Sequence, residues 1–376
     1  MAVLNLPLLA GILVDMWISI ISWFNGAFIN YAWSIIILTI LIKLIMTPLD
    51  FYNKKITRKN AKMQKVIQPQ IEKLEKQYGN DRNLYNQKMN EVYKANNYNV
   101  IGSCLFMLIN LVITFTIFIS LLNGLNTMAS NRISSQYQTL NEVYYTTYNE
   151  NSSLVTQEEA TELANNSVEL KYDEIKDDWL WIKNVWKSDT ATNSIPSFDE
   201  FLSITKQVVI NGEVLNYETL DDTQKQQAQE EYELIMTPLR ENIGGSNGYY
   251  ILLILVVGTS VLSQWLIQRK MKVGDDSNNP AAGTSKVMMF VLPILLGVFA
   301  LSSNSVFSLY LLTSQVISIM TTPIIDQIID QVESNSEIKR INETTPEYSR
   351  KRVKDASNTP FSYDRDEKKN KKGRKQ

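Results

Sequence analysis

The apolar run from Tyr31 to Leu49 constrains this chain more than any other stretch, because its 19 residues carry a single charge, Lys43. At about 1.5 Å of rise per residue, a helix of this length matches the hydrocarbon core of a bilayer. The run therefore predicts a membrane-spanning helix. Four polar residues recur at helical spacing on one face, namely Thr39, Lys43, Thr47 and Asp50. This spacing predicts that the face contacts something other than lipid.

Four further apolar runs follow, and together they predict an all-α integral membrane protein with five transmembrane helices. The predicted spans cover residues 29–51, 100–126, 249–268, 287–303 and 304–325. Residues 127–248 contain 21 acidic and 8 basic residues and are typical of an aqueous domain. The fold of this insert stays open, although the alternation within 198–220 indicates short strands or a small mixed domain.

The N-terminal residues 1–28 are apolar but are interrupted by Pro7, Gly11 and Asp15. They lack the basic start of a signal peptide, so cleavage is not favoured. Their tryptophans favour a helix lying in the membrane interface over a sixth span.

Residues 52–99 are basic, and their apolar positions recur every three or four residues on both sides of Gly79. This pattern predicts a helical hairpin, which Pro69 should kink or split. Residues 269–286 form a polar loop, and the charged segment 326–376 predicts a largely disordered basic tail.

Lysine and arginine predict the orientation, because cytoplasmic loops carry an excess of them. The span ends on one side are flanked by 15 such residues and those on the other side by two. We therefore expect an extracytoplasmic N-terminus, with the acidic insert on the same side. The hairpin, the loop and the C-terminal tail are then cytoplasmic.

Composition excludes most enzyme chemistry. The chain has no histidine and one cysteine, which excludes His-based triads, His-containing zinc sites and internal disulfides. No set of nucleophile, base and orienting group can be assembled, so we expect neither an enzyme nor a cofactor or metal.

Polar edges on four of the spans predict a hydrophilic groove with a cation in it. The candidate groove residues are Thr39, Lys43, Thr47, Asn110, Thr114, Ser260, Gln264, Tyr310 and Ser314. Ser318 and Gln315 extend the edge of the last span. An alternative stays open for Lys43, whose flexible stem could carry its ammonium toward the membrane surface.

Several stretches in order resemble one family. They are NYAWSIIILTILIKLIMTPL, KMQKVIQPQIEKLEKQYGND, EVYKANNYNVIGSCL, DDWLWIKNV, MMFVLPILLGVF and FSLYLLTSQVISI. Together they resemble the YidC-type membrane protein insertases in their five-span, Gram-positive-like form. Lys43 stands where that family has an arginine, and a lysine offers a compact ammonium rather than a bidentate fork. The insert is far longer than the five-span form usually has.

The resemblance implies a membrane protein insertase or chaperone. It would pass nascent transmembrane segments from the cytoplasm into the lipid bilayer through a positively charged groove, without a cofactor. It also implies the plasma membrane of a bacterium, and ribosome contacts through the hairpin 52–99 and the tail 368–376. Whether a Sec-type channel is a partner stays open. The residues alone leave a small-solute transporter or channel as the alternative, with Lys43 as its binding charge, or an assembly factor whose acidic domain binds a partner.

Overall fold

A computed structural model describes residues 6–28, 30–96, 100–210, 212–271 and 280–344 of the 376-residue chain. Within these ranges helices dominate, as predicted. They are α1 (Leu6–Phe28), α2 (Tyr31–Tyr78), α3 (Arg82–Ala95), α4 (Val100–Asn151), α5 (Gln157–Ile175), α6 (Phe198–Thr205), α7 (Asp222–Asn242), α8 (Ile251–Met271), α9 (Pro280–Ser302) and α10 (Ser305–Thr344). Strands β1 (Gln207–Ile210) and β2 (Glu213–Asn216) and a short 3-10 helix (Tyr217–Thr219) lie between α6 and α7.

The membrane helices are longer than the predicted spans. Apolar stretches long enough to cross a bilayer lie in three described segments, Tyr31–Met63, Leu108–Asn151 and Ser305–Ser336. Helices α8 and α9 contain shorter apolar stretches within the described residues, Ile251–Leu266 and Val291–Ser302. Since a helix needs no break at the membrane surface, α2 and α4 run on without interruption into the hairpin and the insert.

Helix α2 is not split at Pro69. The helix continues from Tyr31 to Tyr78 with Pro48 and Pro69 inside it. A proline removes one hydrogen bond and crowds the preceding turn, at a cost of about 3 kcal/mol in a helix interior. Packing offsets this cost here, because α3 folds back against α2 and Ile67 is only 2% exposed. The predicted hairpin is therefore present, with an unbroken first arm.

Helix α1 packs against α2 and α4. Trp17 Nε1 donates a hydrogen bond to Ser120 Oγ on α4 at 2.8 Å, and both side chains are buried. A Cβ atom added at Gly124 would lie 3.4 Å from Trp17 Cβ, in ordinary van der Waals contact, so the two helices pack closely at this point. Asp15 lies on the exposed face of α1.

The second half of α4 and the elements from α5 to α7 form the insert domain, residues 127–248. The sequence pattern of 198–220 becomes helix α6 followed by the antiparallel pair β1–β2, in which Gln207 pairs with Asn216. The rings of Tyr137, Phe201 and Tyr232 pack with centroids 4.8–5.3 Å apart at its centre. The domain is thus mainly helical, and one continuous apolar core connects it with the membrane helices.

A loop of the insert caps two membrane helices. Asp189 is 3% exposed, and its carboxylate accepts from the backbone N–H groups of Tyr249 and Leu252, at 2.8 and 2.6 Å, where α8 begins. At the start of α10, the N–H and the hydroxyl of Ser305 donate to the carbonyl oxygen of Lys187 at 2.8 and 2.6 Å. The first N–H groups of a helix have no partner within it, and this loop supplies partners for both helices.

From Thr322 the chain forms a second unit, described up to Thr344. Residues 326–344, which the sequence assigned to a largely disordered tail, are helical in the structure. The helix continues here because the apolar residues Ile325 and Ile329 recur four positions apart, on one helix face, and both are buried. The remainder of the predicted tail, including 368–376, lies outside the described residues.

Candidate functional site

Some polar side chains on this face of α2 bond their own helix instead of a neighbouring one. Thr39 is fully buried and donates to the carbonyl of Ile35 at 2.6 Å, while Thr47 donates to the carbonyl of Lys43 at 2.8 Å. Threonine hydroxyls often bond the preceding turn in this way. The hydroxyls of both threonines therefore have hydrogen-bond partners within α2. Lys43 is the predicted residue of this face that contacts another helix.

Lys43 bridges α2 to α10. Its Nζ donates to Ser318 Oγ at 3.0 Å, and Ser318 Oγ in turn donates to the carbonyl of Ser314 at 2.8 Å. All three residues are half-buried. A lysine ammonium has three donors, and this contact uses one of them. The ammonium is thus held between two helices with capacity left for an acceptor.

A second polar contact joins α8 to α10. Thr259 Oγ1 donates to Gln315 Oε1 at 3.1 Å, while Gln315 Nε2 is buried without a protein partner among the described residues. Gln315 was predicted beside the polar edge of the last span, whereas Thr259 was not among the predicted residues. Thr259 lies four residues before Ser263, another polar residue of α8, and residues four apart share one face of a helix. This spacing could have revealed Thr259.

The other predicted groove residues divide between buried and exposed positions. Ser260 and Tyr310 are buried, at 2% and 8% exposure, and Gln264 and Asn110 are half-buried. Thr114 is exposed. The Oδ1 atom of Asn110 is buried without a partner among the described residues. No hydrogen bond of the described side chains joins these five residues to Lys43, so the contact that the structure forms between predicted residues on different helices is that of Lys43 with Ser318.

An aromatic layer fills the end of the bundle nearest the insert domain. The ring of Phe118 on α4 lies 5.1 Å from that of Phe299 on α9 and 5.2 Å from that of Phe307 on α10. These edge-to-face contacts are typical of well-packed aromatic clusters. Phe307 is fully buried, and the capping loop of the insert lies directly beyond it. This end of the bundle is therefore packed with apolar side chains.

The two ends of the helix bundle carry different parts of the chain. The insert domain contacts the beginning of α2, where Asn30 Nδ2 donates to the carbonyl of Asp178 at 3.0 Å, as well as the starts of α8 and α10. The hairpin α2–α3 extends from the far end of α2. Fold and polar contacts together define a multi-pass membrane protein with a lysine bridging two of its helices.

Comparison with known proteins identifies the family. A family model described as 60Kd inner membrane protein matches residues 23–332. Since this is well over half of the chain, the protein belongs to the 60Kd inner membrane protein family. It is accordingly a multi-pass bacterial membrane protein, and the resemblance found in the sequence is confirmed.

Curated relatives agree with this assignment. The chain is similar to a protein of Fusobacterium nucleatum named membrane protein insertase YidC, 40% identical over 96 residues, or 26% of this chain and 45% of that protein. A Clostridium perfringens protein of the same name is 42% identical over 93 residues, or 25% of this chain and 37% of that protein. An Aromatoleum aromaticum protein, also of that name, is 36% identical over 105 residues, or 28% and 18%. The chain thus matches less than half the length of each.

Proposed function

We propose that this protein is a membrane protein insertase, which passes nascent transmembrane segments from the cytoplasm into the bilayer. The observation that carries the proposal is the hydrogen bond of Lys43 to Ser318, which holds a cation between α2 and α10 within the membrane helices. An ionisable group inside membrane helices is costly, and such groups usually mark a pathway for a polar substrate. The names of the relatives support the same function.

The mechanism is physical rather than covalent. A nascent segment with a short acidic flank is attracted to Lys43, whose remaining ammonium donors can bind a carboxylate. The flank stays hydrated while it crosses part of the bilayer, so the cost of burying its polar groups falls. The apolar part of the segment then passes into lipid. Polar side chains that are half-buried or exposed complete the lining in this proposal, namely Thr47, Asn110, Thr114, Gln264 and Ser314. The other predicted residues, Thr39, Ser260 and Tyr310, are buried and support the helices behind it.

The apolar end of the helix bundle supports one orientation of the protein in the membrane. The insert domain lies at the end that holds the aromatic layer, whereas the basic hairpin α2–α3 extends from the other end. Positive charge favours the cytoplasmic side, which leaves the insert domain and the N-terminus outside. A groove in this arrangement opens toward the cytoplasm, where nascent chains arrive.

Partners follow from the same proposal. The substrates are nascent membrane proteins, and the bilayer receives them. The ribosome contacts the basic hairpin 52–99 and the tail 368–376 through its phosphates, so this binding weakens steeply with salt. A Sec-type channel is not required for short single-span substrates in this mechanism.

The test is insertion of a single-span substrate with an acidic flank into liposomes that contain the purified protein and no other component. Lys43→Glu should reduce insertion several-fold, because it replaces attraction by repulsion, and Lys43→Arg should retain it. Lys171→Glu is the matched control, since this lysine lies on an exposed surface of the insert domain.

A substrate with neutral flanks distinguishes a loss of electrostatic attraction from misfolding of the Lys43→Glu variant. Lys43→Glu should insert it as well as the wild type does. If Lys43→Glu inserted acidic-flanked substrate at the wild-type rate, the electrostatic mechanism would be wrong. If the wild-type protein inserted nothing and instead released a trapped small solute, the insertase function itself would be wrong.

A further inference from the structure

An unusual turn lies where the insert domain meets the start of α2. Trp179 and Ile182 exchange two backbone hydrogen bonds, of 2.8 and 2.9 Å, so Leu180 and Trp181 form the tip of a tight turn. Leu180 has a φ of 52°, in the left-handed region. Its side chain is 73% exposed.

Both properties of Leu180 are unfavourable in water. The left-handed region strains a residue with a Cβ, and glycine or asparagine would occupy it more easily. An exposed leucine side chain also gains none of the stabilisation that burial would give it. The packing of the turn does not need this side chain, because it points away from the protein. An exposed leucine by itself is common on protein surfaces, but at Leu180 it coincides with a strained, left-handed backbone.

The neighbours of Leu180 are indole rings at the boundary of a membrane span. Trp179 packs edge-to-face against Trp33 at 5.9 Å, and its ring lies 5.7 Å from that of Trp181. Trp33 lies in the first turn of α2, within the candidate span Tyr31–Met63, and is 49% exposed. Tryptophan prefers the headgroup level of a bilayer. The turn is thus continuous with the lipid-facing surface of α2.

We infer that the turn 179–182 is a lipid-binding wedge, with Leu180 inserted into the boundary between headgroups and acyl chains on the insert side of the membrane. The hydrogen bond from Asn30 Nδ2 to the carbonyl of Asp178 fixes the turn at the start of α2 and so sets its depth. Inserted there, Leu180 leaves water while the half-exposed Trp33 lies at the headgroup level, and Trp179 and Trp181 pack against the protein core behind it. The wedge anchors the insert domain to the bilayer independently of any substrate.

The chain offers a matched control in Leu154. This leucine is 77% exposed, close to the value for Leu180. It lies at the far end of α4, 28 residues beyond Asn126, which accepts a hydrogen bond from Asn304 at the bundle. The helix to Asn151 alone spans about 38 Å from Asn126, so Leu154 should not reach the bilayer.

The first experiment places an environment-sensitive fluorophore on Leu180→Cys and on Leu154→Cys, each in a Cys104→Ser background, in phosphatidylcholine and phosphatidylglycerol liposomes. Nitroxide lipids should quench the label at 180 at least about twofold more than the label at 154, because an inserted apolar side chain lies within the acyl boundary. Iodide in the buffer should quench the label at 154 more strongly. Equal iodide access at both positions would overturn the inference. Shielding of position 180 from both quenchers would also overturn it, since a protein would then cover the turn.

A second experiment leaves the turn unaltered and uses the wild-type chain. Trypsin cleavage after Lys176 and Lys183 releases the peptide 177–183, which contains the whole turn. A phospholipid with a photoreactive diazirine near its glycerol should label this peptide, and should leave the peptide that contains Leu154 unlabelled. Equal labelling of the two peptides, or labelling of neither, would contradict the wedge.

Discussion

Lys43 Nζ and Ser318 Oγ are joined by a hydrogen bond of 3.0 Å, although 275 residues separate them in sequence. This contact gives the charge within the first span a partner on the last span. An ammonium held by a neighbouring helix is fixed more firmly than one on a free, snorkelling stem, because part of its rotamer freedom has been lost in the fold. The contact also connects the stability of the bundle with the residue proposed to attract substrate.

Ser318→Ala should destabilise the bundle while it leaves the charge of Lys43 unchanged. Hydrogen bonds to charged groups contribute about 1.5–3 kcal/mol when they are buried, and this half-buried one should contribute about 1 kcal/mol. The melting temperature in detergent micelles measures the effect. Ser302→Ala is the control, since the hydroxyl of Ser302 bonds the carbonyl of Val298 within its own helix at 2.8 Å. Equal melting temperatures for the two variants would show that the contact adds no stability.

Gly248→Ala should be strongly destabilising, because an added Cβ atom would overlap Asp189 Oδ1. Relief of this overlap must move the carboxylate that caps α8, so we expect a loss of about 2–3 kcal/mol. Gly258→Ala in α8 is the control, because an added Cβ meets no atom within 4 Å there. Alanine favours helix over glycine by roughly 1 kcal/mol, so this variant should be neutral or slightly stabilising. Hydrogen exchange of the first turn of α8 would report loss of the cap directly.

The pair Lys187–Glu200 should make the stability of the insert domain fall in acid. Burial alone would raise the pKa of Glu200, but the hydrogen bonds from Lys187 Nζ and the N–H of Ser197 hold the pKa below its ordinary value. A carboxyl whose pKa is lowered by folding adds stability above its unfolded pKa, and this stability is lost as pH falls through the folded pKa. Glu200→Gln should therefore melt below wild type at neutral pH.

Below the folded pKa of Glu200 the difference between Glu200→Gln and wild type should disappear. Lys187 is 6% exposed in this pair, which has an Nζ to Oε2 distance of 2.7 Å. Glu174→Gln is the control, because its pair with Lys171 is exposed and should add less than about 1 kcal/mol. A difference between wild type and Glu200→Gln that did not depend on pH would contradict the assignment to this charge.

Trp17→Phe should loosen α1 from α4. The substitution keeps an aromatic ring but removes the buried hydrogen bond to Ser120, so about 1–2 kcal/mol of docking free energy should be lost. Limited proteolysis of the segment after α1 would measure the loosening. Trp23→Phe is the control, since Trp23 is 70% exposed. Identical cleavage rates for both variants would show that the Trp17 contact does not hold the helix.

The sequence predicted a mainly helical membrane protein and the basic hairpin, because each depends on local patterns. Apolar length and helical periodicity are properties of adjacent residues. Of the two outcomes predicted at Pro69, a split of the helix does not occur, since the packing of α3 on α2 holds the helix together there. Thr259 was missed because its partner Gln315 lies on another helix.

By itself, then, the sequence predicted which segments enter the membrane, since the cost of leaving apolar residues in water is summed along the chain. It also determined that Lys43 is the charge within the first span. Only the tertiary structure decided which polar side chains meet: Thr39 and Thr47 bond their own helix, whereas Lys43 reaches Ser318. The tertiary structure also decided that Asp189 and Lys187 of the insert cap α8 and α10. Such contacts depend on the relative placement of distant segments, which the free energy of the whole fold selects.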